Sequence, residues 1–183
     1  MIDPYSYREK LTMPKMLFMG TNDPYWPVDA VKNYIDSIPG DNHICYIPNA
    51  AHDLGDKTQA FITLSAFLGT TVTNGKSPVC NYTVVEKNDS IFLTVYATPE
   101  LLVDALLWSS ASEDQDFRDE KWNNKKLDKA KIAQFTVGIG KPESGFKAFY
   151  IDLKYKAVFG EDYTQSTRMF VTNDKTLLLK ENR

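Results

Sequence analysis

Cysteine and histidine are scarce in this chain of 183 residues, with two of each. Two cysteines do not make a disulfide framework. Cys45 lies inside an apolar run and reads as a small buried hydrophobe. A Cys45–Cys80 bridge remains an alternative, with free thiols favoured because nothing in the spacing demands a bond. No CxxC or HxxxH pair occurs, which argues against zinc. Net charge is −3 and the sequence carries no block of Lys or Arg. A surface that tracks phosphates is not expected, and nucleic acid drops out as a default partner. No apolar run approaches the roughly 18 residues of a membrane span. The opening MIDPYSYREK lacks the basic-then-apolar order of a secretion signal.

Apolar residues make up 43% of the chain, enough for one ordinary domain or two small ones with real cores. Their arrangement changes part-way along. Lys15–Gly20 is apolar on both faces, as in a buried parallel strand. Pro27 then suits the first turn of a helix, with Val31, Tyr34, Ile35 and Ile38 as its stripe and Pro39-Gly40 as its stop. His43–Pro48 reads as a second strand. A second helix follows, with Ala60, Phe61, Leu64, Phe67 and Leu68 on one face. This βαβα order is the pattern of a parallel α/β sheet.

After Gly69 the pattern differs. TTVTNGKSP is a polar linker punctuated by Gly and Pro. Tyr82–Glu86 and Ser90–Ala97 flank Lys87-Asn88-Asp89, a hairpin signal. Further strands are expected at Leu102–Ser109, Lys131–Gly138, Phe146–Lys156 and Thr167–Thr172, and the charged Asp114–Lys121 as a loop or one helical turn. The expected fold class is α/β plus all-β: a C-terminal fragment of an α/β-hydrolase parallel sheet, then a small antiparallel β-sandwich of immunoglobulin type. The expected divisions are residues 1–70, a linker at 71–80, and 81–183.

The chemistry gathers at two strand ends. GTNDPYWP follows the first apolar strand, and PNAAHDL follows the second. Functional groups of an open parallel sheet collect at the carboxyl ends of its strands. Asp23 and His52 each lie just past such an end, one strand–helix–strand step apart, and a right-handed crossover would set the two strands side by side. A carboxylate there can fix one tautomer of the imidazole, freeing its other nitrogen as a general base. The order Asp…His fits the last two terms of Ser…Asp…His. The first term is absent: no G-x-S-x-G occurs, and only Ser6 precedes Asp23. The expectation is a C-terminal part of a larger protein that supplies the acid and the histidine but hydrolyses nothing alone. No cofactor is called for, and whether the chain counts as an enzyme stays open.

Plainer readings stand beside these. Asn-Asp-Pro is ordinary turn composition. Tyr25 and Trp26 either pack their loop or line a substrate pocket. His43 reads as an exposed bystander. Asp53 and Asp56 suit a helix N-terminus, and Asp116, Arg118 and Trp122 suit a loop fixed on the sandwich.

DPYSYREKLTMPKMLFMGTNDPYWPVDA, IPNAAHDL, and Asp116-Phe117-Arg118 with Trp122 resemble the C-terminal portion of the PhoPQ-activated pathogenicity-related protein family. The resemblance runs over almost the whole chain, most densely over residues 3–54. It implies an α/β-hydrolase-like fold with a C-terminal β-domain and a secreted or envelope location. It also implies a catalytic acid at Asp23, its histidine at His52, and an aromatic beside the site at Trp26. Where Ala51 stands, the family tends to have Gly. The expected partners are the absent N-terminal hydrolase segment and, in its absence, further copies of the chain. The rival expectation is a non-catalytic secreted signalling or binding protein built on a hydrolase scaffold.

Overall fold

The computed structural model describes residues 4–157 and 160–179. Strand outweighs helix, 40% against 16%, so the chain is mostly β. The expected α/β-hydrolase parallel sheet is not present. Among the described residues parallel pairing is confined to two strands, β1 (Lys15–Gly20) and β2 (Asn42–Ile47), with Gly20 opposite Ile47 at their carboxyl ends.

The helix expected after Pro27 does not form either. Two short 3-10 turns, Ala30–Asn33 and Ile35–Ser37, take its place, parted by Tyr34 at φ −136°. The side chain of Asp29 makes no capping bond and pairs with Lys32 Nζ at 2.5 Å instead. Val31, Ile35 and Ile38 are β-branched and weak helix formers. The stripe itself was legible, because Val31 and Ile35 are buried. The second expected helix is α1 (Thr58–Val72). It turns Ala60 and Thr63 inward and leaves Phe61 and Leu68 exposed, so the expected face is rotated.

Eight antiparallel strands follow among the described residues. The loop Asn88-Asp89 joins β3 (Cys80–Lys87) to β4 (Ser90–Ala97), with Asn88 left-handed at φ 53°. β7 (Gln134–Gly140) completes that three-stranded sheet. The other sheet is built on β5 (Leu102–Ser112) and β8 (Phe146–Tyr155), with β6 (Asn123–Lys126), β9 (Tyr163–Ser166) and β10 (Phe170–Asn173) around them. Ile91, Leu93 and Val95 of β4 meet Phe149, Ile151 and Leu153 of β8 in one core between the sheets.

The opposite face of β8 explains the architecture. Ala148 and Tyr150 point away from that core, into a second cluster with Ile44 and Tyr46 of β2, Met169, Val171, Phe117 and Trp122. Tyr46 and Tyr150 have ring centroids 4.9 Å apart. The parallel pair thus covers one face with an antiparallel sheet, where an α/β sheet would use helices. A buried polar chain crosses the same seam. The amide of Tyr46 donates to Ser166 Oγ at 3.0 Å, and that hydroxyl donates to Asp152 Oδ1 at 2.6 Å. Burial drives the Asp152 carboxyl up to about 7, against the opposing pull of Ser166 and the Trp108 indole.

Candidate functional site

β1 and β2 end side by side, and the chain knits the loops beyond them together. Thr21 N–H donates to the Ile47 carbonyl at 3.1 Å, Asn49 N–H to Thr21 Oγ1 at 2.8 Å, and Asn22 N–H to the Ala50 carbonyl at 2.9 Å. Gly20 permits this approach. A Cβ there would lie 2.3 Å from the Ala50 carbonyl oxygen and 2.2 Å from that of Ala51.

The knitting brings Asp23 and His52 into contact. Asp23 Oδ2 lies 2.7 Å from His52 Nδ1, and Asp23 Oδ1 accepts the Tyr25 amide at 2.8 Å. Burial raises the Asp23 carboxyl, but the Tyr25 amide, the His52 imidazole and the Trp26 amide outweigh it and hold it below the usual aspartate value. An ionised carboxylate only accepts, so the contact puts the shared proton on Nδ1. Tyr25 steadies the ring edge-on, with centroids 5.0 Å apart at 88°. The hydrogen bond of the His52 ring is made at Nδ1, and among the described residues Nε2 makes none. The His52 side chain is 58% exposed.

A cleft of about 390 Å³ opens beside Asp23, between Tyr25, Trp26 and Asp29 on one side and Asp114, Asp116 and Arg118 on the other. Tyr25 and Trp26 are 70% and 66% exposed, so they wall the cleft and do not fill a core. His52 is not among the residues that line it. Arg118 grips Asp116 in a bidentate pair that holds the Asp116 carboxyl down to about 2.

The remaining expected residues fall elsewhere. His43 is half-buried, not exposed, edge-on to Phe67 with centroids 6.0 Å apart. Burial favours its neutral ring. Both cysteines are free, and burial pushes the Cys45 thiol up to about 12. Asp56 Oδ1 accepts the Thr58 amide at the start of α1. Trp122 is buried. No group of three His, Cys, Asp or Glu placed to hold a metal ion occurs among the described residues.

Two residues escaped the sequence reading. Asn22 and Asn49 stand two positions beyond the paired ends of β1 and β2, at equivalent places in the register. The Asn22 amide spreads its protons over the carbonyls of Phe117, Arg118 and Glu120 at 3.2, 2.8 and 2.7 Å. Asn49 pairs with the backbone of Trp122, accepting its N–H at 2.8 Å and donating to its carbonyl at 3.1 Å. Their equal offset from two apolar strand ends was the available signal.

The family model for PhoPQ-activated pathogenicity-related protein matches residues 1–118, which include both strand ends, Asp23, His52 and the cleft-lining Arg118. The chain belongs to that family. This member is also 21% identical, over 188 aligned residues, to autocrine proliferation repressor protein A of Dictyostelium discoideum. The alignment covers 89% of this chain and 38% of the relative's length, so the chain spans well under half of that protein. Two crystal forms of wild-type OgpA from Akkermansia muciniphila share 15% and 14% identity with it. They match 56% of this chain and 30% and 29% of theirs, with TM-scores of 0.38 and 0.36, too low to bear on the fold. No helix among the described residues is long and apolar enough to cross a membrane.

Proposed function

We propose that this family member supplies the acid, Asp23, and the base, His52, of a serine-hydrolase-like catalytic triad whose nucleophile lies outside the chain. The observation that carries the reading is the 2.7 Å contact from His52 Nδ1 to the lowered Asp23 carboxylate, with Nε2 left open. In such a triad the carboxylate fixes the tautomer and stabilises the imidazolium. Nε2 takes the proton of a serine hydroxyl as that oxygen attacks an ester or amide carbonyl, and then returns it to the leaving group. Tyr25 and Trp26 line the substrate side. Alone, the chain binds at most and does not turn over. In this reading residues 1–70 form the catalytic part, 71–80 a linker and 81–183 an accessory β-domain, and the whole protein is secreted or held in the cell envelope. A segment carrying the nucleophile is its partner. Without it, the outer edge of β1 and the exposed Phe61 and Leu68 of α1 favour self-association.

A second reading is favoured by one observation. The relative in Dictyostelium is named a proliferation repressor, and a signalling protein can keep a hydrolase pair as scaffold. Carbethoxylation by diethyl pyrocarbonate tests the acid–base pair, because it reads the nucleophilicity of Nε2. The acid–base reading expects His52 to react fast and Asp23→Asn to slow it severalfold, as mapped by peptide mass spectrometry. Equal rates in both proteins would remove the acid–base reading.

A further inference from the structure

The loop at residues 113–122 is remote in sequence from both strand ends, 95–98 residues beyond Asn22 at its contacts and 73 beyond Asn49, yet both site loops are fastened to it. Asn22 immediately precedes Asp23, and Asn49 stands three residues before His52. The two asparagines occupy equivalent register positions, and each sends its side-chain amide to backbone of that one loop. The loop is a firm anchor. Phe117 and Trp122 sit at 3% and 1% exposure in the cluster shared by β2, β8 and β10. Its Asp114–Arg118 part forms the wall of the cleft that faces Tyr25 and Trp26.

We propose that Asn22 and Asn49 are positioning residues: they suspend the Asp23 and His52 loops from residues 113–122, so that the alignment of acid and histidine is set by the antiparallel half of the molecule. The inference rests on the acid–histidine reading and extends it. The strand ends alone do not fix the pair. Asp23 lies in a segment of two prolines and no regular structure, and His52 is exposed on a turn. The bridging amides remove the freedom that the loops would otherwise have, and with it the spread of Oδ2-to-Nδ1 distances. The accessory β-domain then does more than lie beside the pair: its loop sets the geometry in which acid and histidine meet.

The test compares carbethoxylation of His52 in the full chain of wild type, Asn22→Ala, Asn49→Ala, Asp23→Asn and Ile139→Val. Half-buried His43 serves as the internal monitor of unfolding, and Ile139→Val as a remote core destabilisation. The proposal expects either asparagine variant to lose His52 reactivity severalfold, towards the Asp23→Asn rate, with His43 and the Ile139→Val protein unchanged. Asn49→Ala, whose side chain bonds only Trp122, gives the reading if Asn22→Ala does not fold. Wild-type His52 rates in both asparagine variants, with Asp23→Asn slowed, would overturn the positioning role and leave the pair intact. An unslowed Asp23→Asn would remove the pair itself.

Discussion

Gly20→Ala should break the site without removing any polar group from it. Gly20 does not use the left-handed backbone that favours glycine, so alanine fits its conformation. The obstacle is space alone. The new Cβ would lie 2.2 Å from the Ala51 carbonyl oxygen, against an ordinary contact of at least 3.4 Å, so the backbone must part by 1.2 Å. Both opposing atoms are backbone, and neither can rotate away. The Asp23–His52 contact has a slack of only about 0.5 Å before it leaves hydrogen-bond range. A displacement of twice that, applied next to His52, parts the pair. Overpacking of this kind costs about 1–3 kcal/mol. The stiffer unfolded chain returns about 0.4–1 kcal/mol. A net loss of about 1–2 kcal/mol should appear in urea unfolding, together with His52 carbethoxylation slowed as in Asp23→Asn. If Gly20→Ala matches wild type in both midpoint and His52 rate, the close approach of the two loops is not what assembles the site.

Three further outcomes are expected. The Asp152 carboxyl is raised in the folded state from 3.8 to about 7, so the stability it contributes is complete below about pH 4 and is lost as pH rises to 7. The loss amounts to about 4 kcal/mol, and Asp152→Asn should flatten the difference between unfolding at pH 4.5 and pH 8; parallel curves would refute the buried-acid account. Asn49→Ala strands the buried backbone N–H and C=O of Trp122 and also sets alanine at φ 57°, a left-handed backbone that asparagine tolerates. It should cost about 1–3 kcal/mol or more by urea unfolding, whereas a loss below the error would show water replacing the amide. The lowered Asp23 carboxyl contributes stability above about pH 4 that disappears as pH falls through its folded value, so acid titration of wild type and Asp23→Asn should converge at low pH.

The strand ends, the hairpin at Asn88-Asp89 and the Asp23–His52 spacing were legible because each rests on a local rule: short continuous apolar runs, turn chemistry, and one crossover between neighbouring strands. The fold class was not. Whether β1 and β2 belong to a wide parallel sheet depends on what covers them, and Tyr150 and Met169, more than a hundred residues on, do the covering. β6 (Asn123–Lys126) was missed because its four polar residues are all exposed and show no alternation. β9 was missed because Gln165 and Ser166 are buried polar residues, held by tertiary contacts and not by an apolar pattern. The clamp of Asn22 and Asn49 was hidden for a similar reason: asparagine after a strand reads as turn chemistry until its remote acceptor is in view.

The proton on His52 is the most direct test of the central claim. Long-range proton–nitrogen correlation on uniformly labelled chain reads each ring nitrogen as protonated or bare. In the wild-type protein the neutral His52 ring should carry its proton on Nδ1, with Nε2 bare, and Asp23→Asn should abolish this preference. A proton on Nε2 in the wild-type protein, or a tautomer that Asp23→Asn leaves unchanged, would contradict it.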